Sequence, residues 1–262
     1  MTTLTASALV PGSAWAKTLL APNTLPPSSL SAFPRQDPAA VEETVRVAHS
    51  NFARVKELVE ARPALARAAV DWGFGDWEDA LGAASHTGRY EIAELLIAHG
   101  ARPTLFSAAM MGQLDVVKAF IAAAPGSQAI LGPHNLTLLT HAKAGGERAR
   151  PVREFLEQIG GADPRPEGFA LAEADRAKYA GTYVFGAAPD EVLIVANEAT
   201  GLTIARPGLP FARGLAPVAQ DTFAPTGARA VRVRFTFHED GSADVGVFDP
   251  ELVVKASRRK QS

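Results

Sequence analysis

An internal repeat constrains this chain more than any other feature, because a fixed period commits the fold to a stack of like units before local propensities are weighed. Ser50 to Val59, Gly88 to Ile97 and Gly112 to Ile121 align without gaps, and Gly146 to Leu156 fits with one extra residue. In each segment the apolar residues fall at helical offsets: Val55, Leu58 and Val59; Ala93, Leu96 and Ile97; Val117, Phe120 and Ile121; Val152, Phe155 and Leu156. That spacing predicts helices with one buried stripe apiece. Upstream of two of the glycines lie short small-residue stretches, Leu81 to Ser85 and Leu105 to Ala109. These predict a first helix per unit whose alanines let neighbours approach closely. The glycine between the two helices accepts positive φ at little cost.

The run Gly-x-Leu-x-Val-Val-Lys after Ala-Ala, with the turn Ala98-His99-Gly100-Ala101-Arg102-Pro103, resembles ankyrin repeats. The first unit departs from that pattern, with Ser50 for Gly and Arg46-Val47 for Ala-Ala, and Thr-Pro-Leu-His is nowhere intact. The step from Gly88 to Gly112 also falls short of the roughly 33 residues of a standard unit, so the hairpin between those units must be largely deleted. The resemblance implies about four divergent units over 39–165, a scaffold for a protein or peptide partner, and no cofactor.

Before the array, Ser13-Ala14-Trp15-Ala16 ahead of Lys17 has the form of a signal-peptidase site, although no basic residue precedes Lys17. Two readings stand, the back half of an export signal or an irregular Ala-rich tail; localisation is exported under the first and otherwise cytoplasmic. Prolines 22, 26, 27, 34 and 38 make the stretch up to residue 38 a linker. After Gly160-Gly161-Ala162-Asp163-Pro164 the hydrophobic period changes to two. Val231, Val233, Phe235 and Phe237 alternate with Arg232, Arg234, Thr236 and His238, a strand with one buried and one wet face. Asp240-Gly241 predicts a hairpin into Ala243 to Phe248. Further strands are expected at 182–185, 191–197, 202–205 and 252–257. Tyr179-Ala180-Gly181-Thr182-Tyr183, Phe223-Ala224-Pro225 and Phe235-Thr236-Phe237 resemble the small β domains appended to serine hydrolases of the β-lactamase superfamily. That resemblance implies a half-open barrel and no nucleophile. The expected fold class is α+β multidomain: an ankyrin-type helical solenoid at 39–165, a small antiparallel half-barrel at 168–257 and a tail at 258–262.

The charge balance, formally −2, offers no basic surface for nucleic acid. The absence of cysteine removes thiolate catalysis and sulfur-ligated zinc. No apolar run reaches the roughly 18 residues of a membrane span. Short catalytic motifs are also missing: no G-x-S-x-G, H-E-x-x-H or phosphate loop occurs, and Ser257-Arg258-Arg259-Lys260 fits S-x-x-K only at the end of the chain. His134 and His141 are the histidine pair worth weighing; without a third ligand nearby in sequence they read as imidazoles tying loops to backbone rather than as a metal site. Trp72, Phe74 and Trp77, with Asp71 and Asp76 between them, form an aromatic cluster that reads either as a recognition surface or as core packing. The candidate partner-binding residues are therefore Trp72, Phe74, Trp77, His134 and His141, with no catalytic, cofactor or metal residues. The expected function is a non-enzymatic protein-binding scaffold. The alternative is a small apolar ligand held in the β domain by Val233, Phe235 and Phe237, and a third, weaker reading is a hydrolase or its remnant.

Overall fold

Proline suits the first turn of a helix because its missing N–H has no partner there, and Pro38 opens helix α1, Pro38–Ala48. In the computed structural model, residues 34–164, 168–209, 211–250 and 252–259 are described; the signal-like segment lies outside them. Helix α2, Phe52–Ala61, starts where the Asn51 side chain accepts the Arg54 backbone N–H at 3.1 Å. A two-stranded antiparallel hairpin follows, β1 Ala69–Asp71 and β2 Trp77–Asp79, with Asp71 opposite Trp77. Six helices come next: α3 Ala80–His86, α4 Tyr90–Ala98, α5 Leu105–Met110, α6 Leu114–Ala123, α7 Leu138–Ala144 and α8 Arg150–Ile159.

The short helices α3, α5 and α7 pack side by side, and each also packs on the longer helix after it. Each short helix begins the same way: Asp79, Thr104 and Thr137 accept the backbone N–H of Gly82, Ser107 and Thr140. These caps satisfy donors that a first turn leaves open, at a typical worth of about 1 kcal/mol each. Ala83, Ala84, Ala109 and Ala142 are fully buried at the seam. Gly88 and Gly112 take φ of 69° and 76°. A Cβ at either would run into a backbone carbonyl oxygen, that of Ala144 or of Arg148, so the close approach of neighbouring units excludes a side chain there. The buried stripe holds for Val55, Val59, Ala93, Leu96, Val117, Val152 and Leu156. Phe120 departs from it at 45% exposure, because Val117 is the only buried position of α6 and the residue one turn on faces solvent. No helix among the described residues is long and apolar enough to cross a membrane.

The β region is a closed eight-stranded barrel rather than a half-open one. Strands β3 Gly181–Val184, β4 Val192–Glu198, β5 Gly201–Ala205, β6 Arg213–Ala219, β7 Thr222–Pro225, β8 Arg232–Phe237, β9 Ala243–Asp249 and β10 Leu252–Arg258 pair antiparallel in order. The ring closes where Ser257 and Arg258 of β10 meet Val184 and Tyr183 of β3. Arg258, assigned by sequence to a tail, is thus a ladder residue. The expectation failed on β6 and β7, whose Gly214, Pro217 and Ala219 carry little strand signal, and whose register shifts at Pro217 to Ala219. Without those two strands the count stops at six and the sheet stays open.

An eight-stranded barrel is just wide enough for its own side chains to fill. Here Tyr179, Tyr183, Phe223 and Phe235 interlock edge to face, with ring centroids of Tyr179–Phe223 and Tyr179–Phe235 at 4.9 Å. Val233 and Phe235 are buried in this interior, whereas Phe237 is 37% exposed. The residues expected to enclose an apolar ligand are instead packed on one another or turned outward. Helical region and barrel belong to one compact unit, Ala39–Ser262.

Candidate metal centre

The hairpin β1–β2 carries the acids that organise the site. On β2, Glu78 points inward with its side chain fully buried. Its Oε2 accepts the Trp72 indole N–H at 2.7 Å, and its Oε1 lies 2.8 Å from His86 Nε2 and 3.3 Å from His134 Nε2. His49 Nε2 stands 3.6 Å from Glu78 Oε2. One ligand atom from each of His49, Glu78, His86 and His134 lies within 4.8 Å of the other three.

Each residue reaches the cluster from a different element. His49 follows the end of α1, where its Nδ1 donates to the carbonyls of Val45 at 3.2 Å and Arg46 at 3.0 Å. His86 ends α3. His134 sits in the Pro133–Asn135 turn with a left-handed backbone, φ 57°. There Asp76 holds it twice, taking its backbone N–H on Oδ1 and its Nδ1 on Oδ2, both at 2.8 Å. With Nδ1 of His49 and His134 committed to oxygen acceptors, their Nε2 atoms are the ones turned to the cluster. Carbonyl and carboxylate partners of this kind fix the tautomer and orientation of metal-binding imidazoles. Asp76 is held in turn by Arg213 of β6, whose Nη1 lies 2.6 Å from its Oδ2 and whose Nη2 donates to the Trp72 carbonyl at 2.8 Å.

The contacts between these acids and imidazoles set their protonation. Burial works against ionising Glu78, but hydrogen bonds from His134 and His86 outweigh it and pull the carboxyl down to about 2. Burial likewise opposes ionisation of Asp76, and His134 and Arg213 overcome it, leaving its pKa lowered. The hydrogen bonds to Asp76 and then Glu78 raise His134 to about 9. A divalent cation would take the place of that shared positive charge. In a tetrahedral zinc site with bonds of about 2.0–2.1 Å, donors sit about 3.3 Å apart; the four ligand atoms here lie within 4.8 Å of one another, so the widest pair would have to draw in by up to about 1.5 Å. The set of three imidazoles and a carboxylate suits zinc, iron, nickel or copper rather than magnesium or calcium.

This cluster overturns the expectation of a non-enzymatic scaffold, and with it the reading of the helical stack as a purely protein-binding array. His134 does more than tie a loop to backbone, since its ring bridges Asp76 and Glu78. Its partners are not the residue with which sequence paired it. His141 is fully buried on α7, its Nδ1 donating to the Thr137 carbonyl at 2.9 Å, and its ring centroid lies 6.4 Å from that of His86. Trp72 is buried and serves Glu78, Phe74 packs against the barrel core, and Trp77 is 63% exposed. His49, Glu78 and His86 escaped sequence reasoning because no short motif joins them. One signal was legible: His49 and His86 lie one and two residues before the aligned Ser50 and Gly88, which puts both at the same end of consecutive helix pairs.

Burial pushes the His141 imidazole down to about 4, so it is neutral in the folded chain. An unfolded histidine titrates near 6.5. Between those values the unfolded chain binds the additional proton, so stability contributed by His141 is complete above about pH 6.5 and is lost as pH falls toward 4. The loss amounts to at most about 3 kcal/mol. His141→Leu is expected to flatten the acid slope of unfolding free energy in that window; equal slopes in urea melts of the two proteins from pH 7 to 4 would refute this account.

No family model, curated protein or solved structure matches this chain.

Proposed function

We propose that this protein is a metal-dependent enzyme that uses one divalent transition-metal ion, zinc being the simplest fit, to hydrolyse a small substrate. The observation that carries the reading is the convergence of three imidazole Nε2 atoms on the buried Glu78 carboxylate, two of them oriented from behind by oxygen acceptors. A four-coordinate ion closed by all four side chains would serve a structural role, so catalysis here requires a fifth position open to water or substrate. Here the side chains of His49 and His134 keep 30% and 23% exposure, so the centre has a solvent-facing side.

A bound divalent cation supplies Lewis acidity, lowering the pKa of water toward neutrality and polarising a substrate carbonyl or phosphoryl group. The chain's own residues do the rest. Glu78 neutralises charge and fixes His86, Asp76 aims His134, and the α1 carbonyls aim His49. The deciding experiment strips the full chain with EDTA, then titrates zinc calorimetrically and follows hydrolysis of 4-nitrophenyl acetate and 4-nitrophenyl phosphate. One zinc per chain is expected, with turnover that requires it, and His86→Ala should lose both. Absence of stoichiometric binding, or zinc binding that His86→Ala leaves intact, would sink the proposal; zinc binding without turnover of either ester would reduce it to a metal-binding role.

A further inference from the structure

Among the described residues four non-glycine positions have left-handed backbone, and three of them, Phe74 (φ 59°), His134 (φ 57°) and Asn135 (φ 56°), border one cleft. For a bulky residue such as Phe74 this conformation is an outlier. Strain of this kind concentrates where ligands bind. The cleft runs between hairpin β1–β2, the 133–135 turn and the segment joining β7 to β8. Its outer part, about 720 Å³, is lined by Phe74, Trp77, Asn135 and Arg229 among others. Its inner part, about 320 Å³, is lined by His134, Asn135, Thr226, Arg229 and Arg232 among others. Asn135, Gly227 and Arg229 line both, so the two parts adjoin, and His134, which lines the inner one, is also a member of the metal cluster.

Three further features point to an occupant. Arg229 and Arg232 bond backbone carbonyls, Arg229 to Pro164 and Arg232 to Arg229 and Val231, which leaves guanidinium donors over. Neither lies within 4.0 Å of a carboxylate among the described residues, whereas Arg213 does. The Asn135 Nδ2 is buried without a hydrogen-bond partner, an unspent donor at the place where the two parts meet. Trp77 presents an indole at 63% exposure on the outer wall. The acids lining the cleft, Asp71 and Asp249, lie in the outer part, whereas the inner part is lined by Arg229 and Arg232 and by no acid among the described residues, the Asp76 carboxylate behind His134 being paired with Arg213.

We infer that this cleft binds the substrate of the metal centre as a small aryl anion, its phosphate or carboxylate held by Arg229, Arg232 and the Asn135 amide and its ring laid against Trp77. The inference rests on the metal-dependent reading for the word substrate, while the binding itself requires only the cleft. Guanidinium groups match either oxyanion through paired N–H donors, and an exposed indole offers a flat apolar surface that costs little to order.

The test titrates phenyl phosphate and benzoate, separately, into the EDTA-treated full chain by calorimetry, so that no metal can supply the anion site. One equivalent of at least one probe is expected, and which binds more tightly tells phosphate from carboxylate as the natural headgroup. The double variant Arg229→Gln/Arg232→Gln should weaken binding about tenfold or more, as expected for loss of charge-assisted contacts. Trp77→Ala should weaken it about fivefold. Because both arginines also hold backbone, Arg229→Lys/Arg232→Lys with a matching thermal melt serves as the control, and it should restore much of the lost affinity. Failure of both probes to bind, or binding indifferent to the glutamine pair in a folded variant, would overturn the assignment. Zinc binding without anion binding would remove the cleft and leave the metal centre standing, and anion binding without zinc would do the reverse.

Discussion

Replacing Glu78 with alanine is expected to destabilise the metal-free protein by about 3–5 kcal/mol and to abolish the stabilisation that zinc confers. Removing one partner of a buried ionic cluster leaves the others uncompensated, and that is the costly kind of change. Here the loss strands the Trp72 indole N–H and withdraws the carboxylate facing three imidazoles, while opening a void in a fully enclosed position. Glu78→Gln separates the causes. It keeps the volume and an oxygen for Trp72, so it should recover part of the stability but not the metal. In wild-type protein, zinc at about a hundredfold over its dissociation constant should add about 2.7 kcal/mol. Urea melts of the three proteins with and without zinc decide the matter: a zinc-dependent shift surviving in Glu78→Ala would show that the ion binds elsewhere.

Arg213→Met should cost about 3–5 kcal/mol for a related reason and should reach the metal centre from across the molecule. Arg213 and Asp76 are buried together with side-chain exposures of 5% and 3%, and the guanidinium also ties the Trp72 carbonyl of the hairpin to the Thr226 carbonyl of the barrel. Methionine leaves the Asp76 carboxylate buried with His134 as its remaining side-chain partner and leaves two carbonyls short of a donor. Because Asp76 orients His134, zinc affinity should fall by about 10–100-fold, the usual price of losing an outer-sphere support. Pairing the change with Asp76→Asn gives the check. If Arg213 acts through Asp76, the double variant will lose much less than the sum of the single losses; additive losses would mean that the arginine acts on barrel packing alone.

Local sequence determined the elements whose physics is local. The aligned segments at 50, 88, 112 and 146 became helices α2, α4, α6 and α8, because apolar residues at helical spacing have one way to be buried together. The alternation from Val231 to His238 became strand β8 with Val233 and Phe235 inside, because a period of two suits only a pleated strand. Where the local signal was weak, the reading stopped short: Pro217 and the small residues of β6 and β7 look like loop, and only the hydrogen bonds their neighbours offer draw them into a ladder that closes the barrel. The site lay further out of reach. His49, Glu78, His86 and His134 sit on the end of a helix, a short strand, the end of another helix and a turn, with separations along the chain that obey no motif. Sequence supplied their identities and, through the repeat, the common end of the stack where two of them lie. What brought them together was the packing of α3 and the 133–135 turn against strand β2, with His49 reaching Glu78 from the end of α1 and Arg213 holding Asp76 from the barrel side, because Coulombic and hydrogen-bonding contacts depend on distance in space and not on distance along the chain.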